Sequence, residues 1–127
     1  MNRMLATTGV LLVLGGMAHA NQITRTVPAG RTTEVNTYWP VKPSCQGVSG
    51  TATLTVKPQH GSVSHHTAPT TFGANYRARH CYGKPTASFV VTYTPATGFR
   101  GVDHFILDVQ LPELNVHRLD GYAIIVQ

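Results

Sequence analysis

Apolar residues in this chain fall in short alternating runs rather than at helical spacing, and a period of two is the pattern of a strand buried on one face. In TATLTVK, residues 51–57, Ala52, Leu54 and Val56 share one face while Thr51, Thr53 and Thr55 share the other. In ASFVVTYT, residues 87–94, Phe89, Val91 and Tyr93 oppose Ser88, Val90 and Thr92. DHFILDVQ, residues 103–110, sets Phe105, Leu107 and Val109 against His104, Ile106 and Asp108. Less regular runs rich in Thr, Val and Tyr predict further strands over residues 23–27, 34–39, 62–66, 76–80 and 122–126. Pro40, Pro43, Pro58, Pro69, Pro85, Pro95 and Pro112 are read as lying between the runs, where a residue without an N–H costs no ladder bond. The longest irregular piece expected is residues 67–75. About eight short strands spaced by roughly ten residues predict an all-β, antiparallel sandwich rather than alternating helices and strands.

The first twenty residues depart from this pattern. MNRMLATTGVLLVLGGMAHA carries Arg3 as its one charge, an apolar run around Val10 to Leu14, and small residues at Ala18 and Ala20. That is the form of a signal peptide with an A-x-A cleavage site, and the apolar run is shorter than the roughly 20 residues of a membrane span. Residues 1–20 are therefore expected to be removed on export, leaving residues 21–127 as one domain without stable membrane insertion, periplasmic or secreted. Cys45 and Cys81 are the two cysteines. Behind an export signal an even count reads as a disulfide, and their spacing is far from a C-x-x-C motif.

The turn-rich segment YTPATGFRGVDHF, Tyr93 to Phe105, joins two of the strand runs. Pro95 fixes φ, Gly98 and Gly101 permit positive φ, and Asp103 opens the next strand, where a short carboxylate accepts N–H groups from the turn. Tyr93 and Phe105 are expected to fill the space between two sheets. This segment, Y-T-P-x-x-G-F-x-G-x-D-x-F, follows VKPQHGSV at Val56 to Val63, which fits V-x-P-x-H-G-x-V. Together they resemble the bacterial Ig-like and cadherin-like modules of surface and exported proteins, over residues 51–109. The resemblance implies an Ig-like β-sandwich of about seven to eight strands, with Tyr93, Pro95, Gly98, Gly101, Asp103 and Phe105 as a structural corner. It does not carry over calcium binding, because the five carboxylates are dispersed and form no acidic cluster.

Charge and chemistry narrow the function classes. With Arg3 set aside, nine Lys and Arg stand against five Asp and Glu, a net charge of +4. The basic residues are scattered. Arg77 and Arg79 are expected on one face of a strand, a solvated pair rather than a nucleic-acid surface. Six histidines follow residue 20: His60, His65, His66, His80, His104 and His117. Imidazoles ligate copper and zinc, but no H-x-H or H-x-x-x-H spacing brings two together locally, so no metal site is assigned. His104 and Asp108 are the best same-face pair. None of the five serines lies in G-x-S-x-G, and paired-carboxylate, phosphate-loop and dinucleotide motifs are lacking, so no catalytic residue or cofactor is assigned. Tyr38, Trp39, Tyr76 and Tyr82 lie near strand ends, where aromatics stack on sugars or anchor a partner. The expected function is a non-catalytic binding or structural module of the bacterial envelope, with an unknown protein or glycan as partner. The alternative is a small periplasmic copper- or zinc-binding protein using surface histidines.

Overall fold

The computed structural model describes residues 21–127, so the leader expected over residues 1–20, with its expected cleavage site, lies outside the described residues. Seven strands are described: β1 (Asn21–Val27), β2 (Thr33–Tyr38), β3 (Thr51–Val56), β4 (Gly61–Thr71), β5 (Pro85–Pro95), β6 (Gly101–Leu111) and β7 (Val116–Val126). Two short 3-10 turns, Arg79–Cys81 and Pro112–Leu114, are the only helical pieces among them. The strands form a β-sandwich with a four-stranded sheet, β1-β7-β6-β3, and a three-stranded sheet, β2-β5-β4. That is the strand arrangement of Ig-type sandwiches, with the first strand placed in the other sheet.

Four of the five ladders are antiparallel, and the fifth differs from the sequence expectation, because β1 runs parallel to β7 from Asn21↔Asp120 to Val27↔Val126. The chain leaves β1 for the opposite sheet, so no hairpin constrains their relative direction. Ala29 N–H donating to the Gln127 carbonyl, and Gln127 N–H to the Val27 carbonyl, fasten the two ends.

Alternation in β6 sets the core. Asp103, Phe105, Leu107 and Val109 are buried, while the intervening residues are exposed or half-buried. Tyr93, Phe105 and Tyr122 are fully buried and stack in series, with ring centroids 6.3 and 4.4 Å apart and planes within 10°. Val35, Tyr38 and Val91 come from the facing sheet, and Leu107, Ile124 and Val126 from the other. On β5 both sides are covered: Ser88 and Val90 are buried as well as Val91 and Tyr93, since β5 is central, flanked by β2 and β4.

The structure corrects several sequence expectations. Val56 was expected beside Ala52 and Leu54, but it is 46% exposed. Leu54 pairs with Leu107 and Val56 with Ile106, so a bulge at Thr55 inserts one residue and turns Val56 outward. Residues 67–71 are strand, not loop: β4 pairs with β5 through Thr71↔Pro85, and Pro69 is tolerated because β4 is an edge. β7 likewise begins at Val116, six residues earlier than the predicted run, pairing with β6 along its length. No strand forms over residues 76–80, and Arg77 and Arg79 share no strand face. Tyr76 and Ala78 do alternate inward, but against a satellite cluster of Cys45, Phe72 and Cys81 rather than against a sheet.

Candidate functional site

Asp103 is 2% exposed and its carboxylate accepts four hydrogen bonds. The Tyr93 hydroxyl donates to Oδ2 at 2.7 Å, as does the His60 N–H at 3.0 Å, while Gln59 and His104 N–H groups donate to Oδ1 at 3.0 Å. The N–H donors were expected in the adjacent Pro95–Gly101 turn; instead two of them come from the β3–β4 turn, so Asp103 joins two loops at one end of the sandwich. Burial raises the pKa of this carboxyl, and the bonds from Tyr93, Gln59, His60 and His104 outweigh it, holding it below the ordinary carboxylate value. Burial and the bond to Asp103 push the Tyr93 hydroxyl well above the ordinary tyrosine value.

Gly61 lies under that hydroxyl. A Cβ there would meet Tyr93 Oη at 2.6 Å and the Thr94 carbonyl at 2.5 Å, so the close approach requires glycine. Gly98 and Gly101 take φ of +79° and +135°, and Pro95 is buried at the end of β5. His60 stacks on Phe99 at 4.2 Å.

A second buried carboxylate was missed by sequence reasoning. Asp120, 0% exposed, accepts from the Tyr38 hydroxyl at 2.5 Å, from Arg118 Nε at 3.1 Å and from Asn21 Nδ2 at 3.3 Å. Because Tyr38 spends its proton on Asp120, the Tyr122 hydroxyl donates to Tyr38 Oη at 2.6 Å, and Asn36 Nδ2 donates to Tyr122 at 3.0 Å. Burial comes first in raising the pKa of both hydroxyls; the bond to Asp120 adds to it at Tyr38, and the bond accepted from Asn36 partly offsets it at Tyr122. Arg118 also sits 5.3 Å above the Tyr38 ring. Sequence reasoning assigned no element to Leu119, Asp120 and Gly121, and the inward alternation of Asp120 with Tyr122 shows only once β7 starts at Val116.

Tyr38, fixed by these bonds, forms one wall of a cleft of about 770 Å³ open at the side of the sandwich. Its apolar part is Tyr38, Phe89, Val109 and Leu111; its rim is Ser49, Gly50 and Thr51 on one side and His65, His66 and Thr67 on the other. β3 and β4 leave a common turn in different sheets and diverge, and the cleft occupies the gap. Each pairs on one side only, with β6 and β5 respectively. Neither strand carries Lys, Arg, Asp or Glu, whereas the other two edges carry Arg25 in β1 and Glu34 in β2. Charge is the usual guard of a free edge. No Lys, Arg, Asp or Glu lines the cleft.

The remaining expected residues fall elsewhere. Cys45 and Cys81, 36 positions apart in sequence, form a disulfide with Cα atoms 5.5 Å apart. Trp39, 39% exposed, packs with Phe72 and Tyr76 beside it, and Tyr82 is exposed. Asp108 contacts His117 Nε2 at 2.9 Å across the β6–β7 ladder rather than His104. Among the described residues, the group of three possible metal ligands brought close together is Cys45, His80 and Cys81, not a set of surface histidines.

No family model matches the chain, and no curated protein matches it. Among solved structures, the solution structure of amebosin is similar over 82% of this chain and 88% of that one, with 14% identity and a TM-score of 0.42.

Proposed function

We propose that this chain is an exported, non-catalytic binding module of the bacterial envelope whose cleft between β3 and β4 takes up an extended segment of a partner protein. The cleft carries the reading: it opens between the free edge of β4 and the segment 47–51 that leads into β3, over an apolar floor, and neither strand carries Lys, Arg, Asp or Glu. An extended segment laid along such an edge satisfies main-chain groups and sends alternate side chains toward the floor. A disulfide and a leader-like run ahead of residue 21 support an oxidising, exported setting. A non-catalytic role is supported by the two buried carboxylates, since Asp103 and Asp120 are each engaged by internal donors within the fold.

Panning a displayed library of random linear peptides tests this, with an array of envelope glycans run in parallel. Ser49→Trp, at an exposed rim position, should fill the cleft and weaken enriched peptides by about tenfold or more, on the order of 1.4 kcal/mol. Thr26→Trp, exposed on β1, should leave them bound. Failure to enrich peptides, or peptides indifferent to Ser49→Trp, would contradict the proposal; glycan binding blocked by Ser49→Trp would reassign the cleft to a sugar.

A further inference from the structure

We propose that Cys45, Cys81 and His80 form a redox-gated site for a thiophilic d10 cation, zinc or cuprous copper, closed while the disulfide is intact and opened by its reduction. The two sulfurs and one ring nitrogen of His80 all lie within 4.8 Å of one another. Adjacent ligand atoms of a tetrahedral zinc site with Zn–S bonds of about 2.3 Å are roughly 3.3 to 3.8 Å apart. The trio is therefore near ligand spacing before any backbone moves, and the sulfurs need only part by side-chain rotation.

His80 supplies the second observation. Its Nε2 lies 2.6 Å from the Pro43 carbonyl oxygen. A carbonyl only accepts, so Nε2 carries the proton and Nδ1 keeps its lone pair. A ligating histidine is commonly fixed in this way, by donating its other ring N–H to a backbone carbonyl. His80 is exposed, whereas Cys45 and Cys81 are buried against Phe72. An ion thus has a route in from the solvent side, a water for the fourth position, and an apolar shell behind the sulfurs. The three residues come from two loops, each braced from within: Lys42 N–H donates to the Gln46 carbonyl and Cys45 N–H to the Lys42 carbonyl in one, and Cys81 N–H to the Ala78 carbonyl in the other.

The reductant is a dithiol of the thiol–disulfide oxidoreductase class. It transfers two electrons and two protons, so the Cys45–Cys81 bond breaks, two thiols form, and the dithiol becomes a disulfide. Zinc then displaces both thiol protons, forming two Zn–S bonds, while His80 Nδ1 donates its lone pair without releasing a proton.

The test uses the purified chain, metal-stripped, either oxidised or reduced with a water-soluble phosphine, which takes up the oxygen of water as phosphine oxide and does not compete as a thiol. Zinc is titrated against a chromophoric chelator, cuprous copper against a cuprous-specific one, and cobalt serves as a spectroscopic stand-in. The expected result is one ion per reduced chain, sulfur-to-cobalt charge-transfer absorption, about two protons released per zinc, and no stoichiometric uptake by the oxidised chain. His80→Ala should weaken binding by about tenfold or more, while the double variant His65→Ala, His66→Ala should not. Preference between zinc and cuprous copper identifies the cation. If reduction unfolds the chain, zinc should restore its β-sheet circular dichroism. Uptake that is equal in the two redox states, or indifferent to His80→Ala, overturns the proposal, as does a reduced chain that zinc neither binds nor refolds.

Discussion

At the scale of single residues, Asp103 shows how a short motif becomes a structural joint. Its carboxylate satisfies Gln59, His60, His104 and Tyr93, so Asp103→Ala strands several buried donors and should cost roughly 1 to 3 kcal/mol. Phe105→Ala removes the middle ring of the Tyr93–Phe105–Tyr122 stack and should cost about 3 to 5 kcal/mol. His104, exposed between them, should be replaceable by Ala within about 0.5 kcal/mol. Urea melts of the three variants check the order, and a His104→Ala loss equal to that of Phe105→Ala would contradict this register. A pH dependence follows from the depressed Asp103 carboxyl. The unfolded chain takes up this proton at a higher pH than the folded chain, so the stabilisation is whole above the ordinary Asp value near 4 and is lost as pH falls through the folded value. Asp103→Asn should flatten the acid limb of a stability–pH curve. An unchanged acid limb would show that other groups govern it. The position of Asp103 was legible from turn chemistry; its partners were not, because the β3–β4 turn lies more than forty residues away in sequence. Asp120 was illegible for a related reason: its tyrosine partner on the facing sheet, Tyr38, is 82 positions away.

At the scale of elements, alternating runs identified β3, β5 and β6, with β6 showing the sharpest difference in burial between its two faces, and the reading failed where no such alternation shows. β4 is a free edge with polar residues on both faces, so the run past His66 offered no period to read. β7, although it lies inside its sheet, opens on the exposed residues His117, Arg118 and Leu119, so its start offered no period to read either. Residues 76–80 had the period but no ladder partner, because the alternation there serves the disulfide cluster. That cluster links the loop before β3 to the loop before β5. Joining Cys45 to Cys81 removes chain entropy from the unfolded state worth roughly 3 to 4 kcal/mol for a loop of this length. Thiol titration of the denatured, unreduced chain should find no free thiol. Cys45→Ser with Cys81→Ser should lower the urea midpoint by a corresponding amount, and an unaltered midpoint would show that the satellite cluster holds without its covalent link.

At the scale of the whole molecule, the sandwich presents unequal sides. One pair of free edges, β1 and β2, carries charge, and the other, β3 and β4, carries none and opens onto the cleft. The buried Asn36–Tyr122–Tyr38–Asp120 chain braces the Tyr38 wall of that cleft from inside the core, so the candidate site and the fold share residues. The all-β class was legible from the strand period. The cleft was not, since it arises from two strands diverging into different sheets, a relation between elements that no local run encodes. With no Lys, Arg, Asp or Glu in its lining, binding there at about pH 8, above the ordinary histidine range, should respond little to salt, because Debye screening acts on charge pairs. The central claim, that an extended peptide docks between β3 and β4, is tested most directly by amide hydrogen exchange of the chain with and without a peptide enriched by display. The account predicts slower exchange at backbone amides within Thr51–Val56 and Gly61–Thr71, with β1 and β2 unchanged; slowing confined to β1, β2 or residues 72–84 would contradict it.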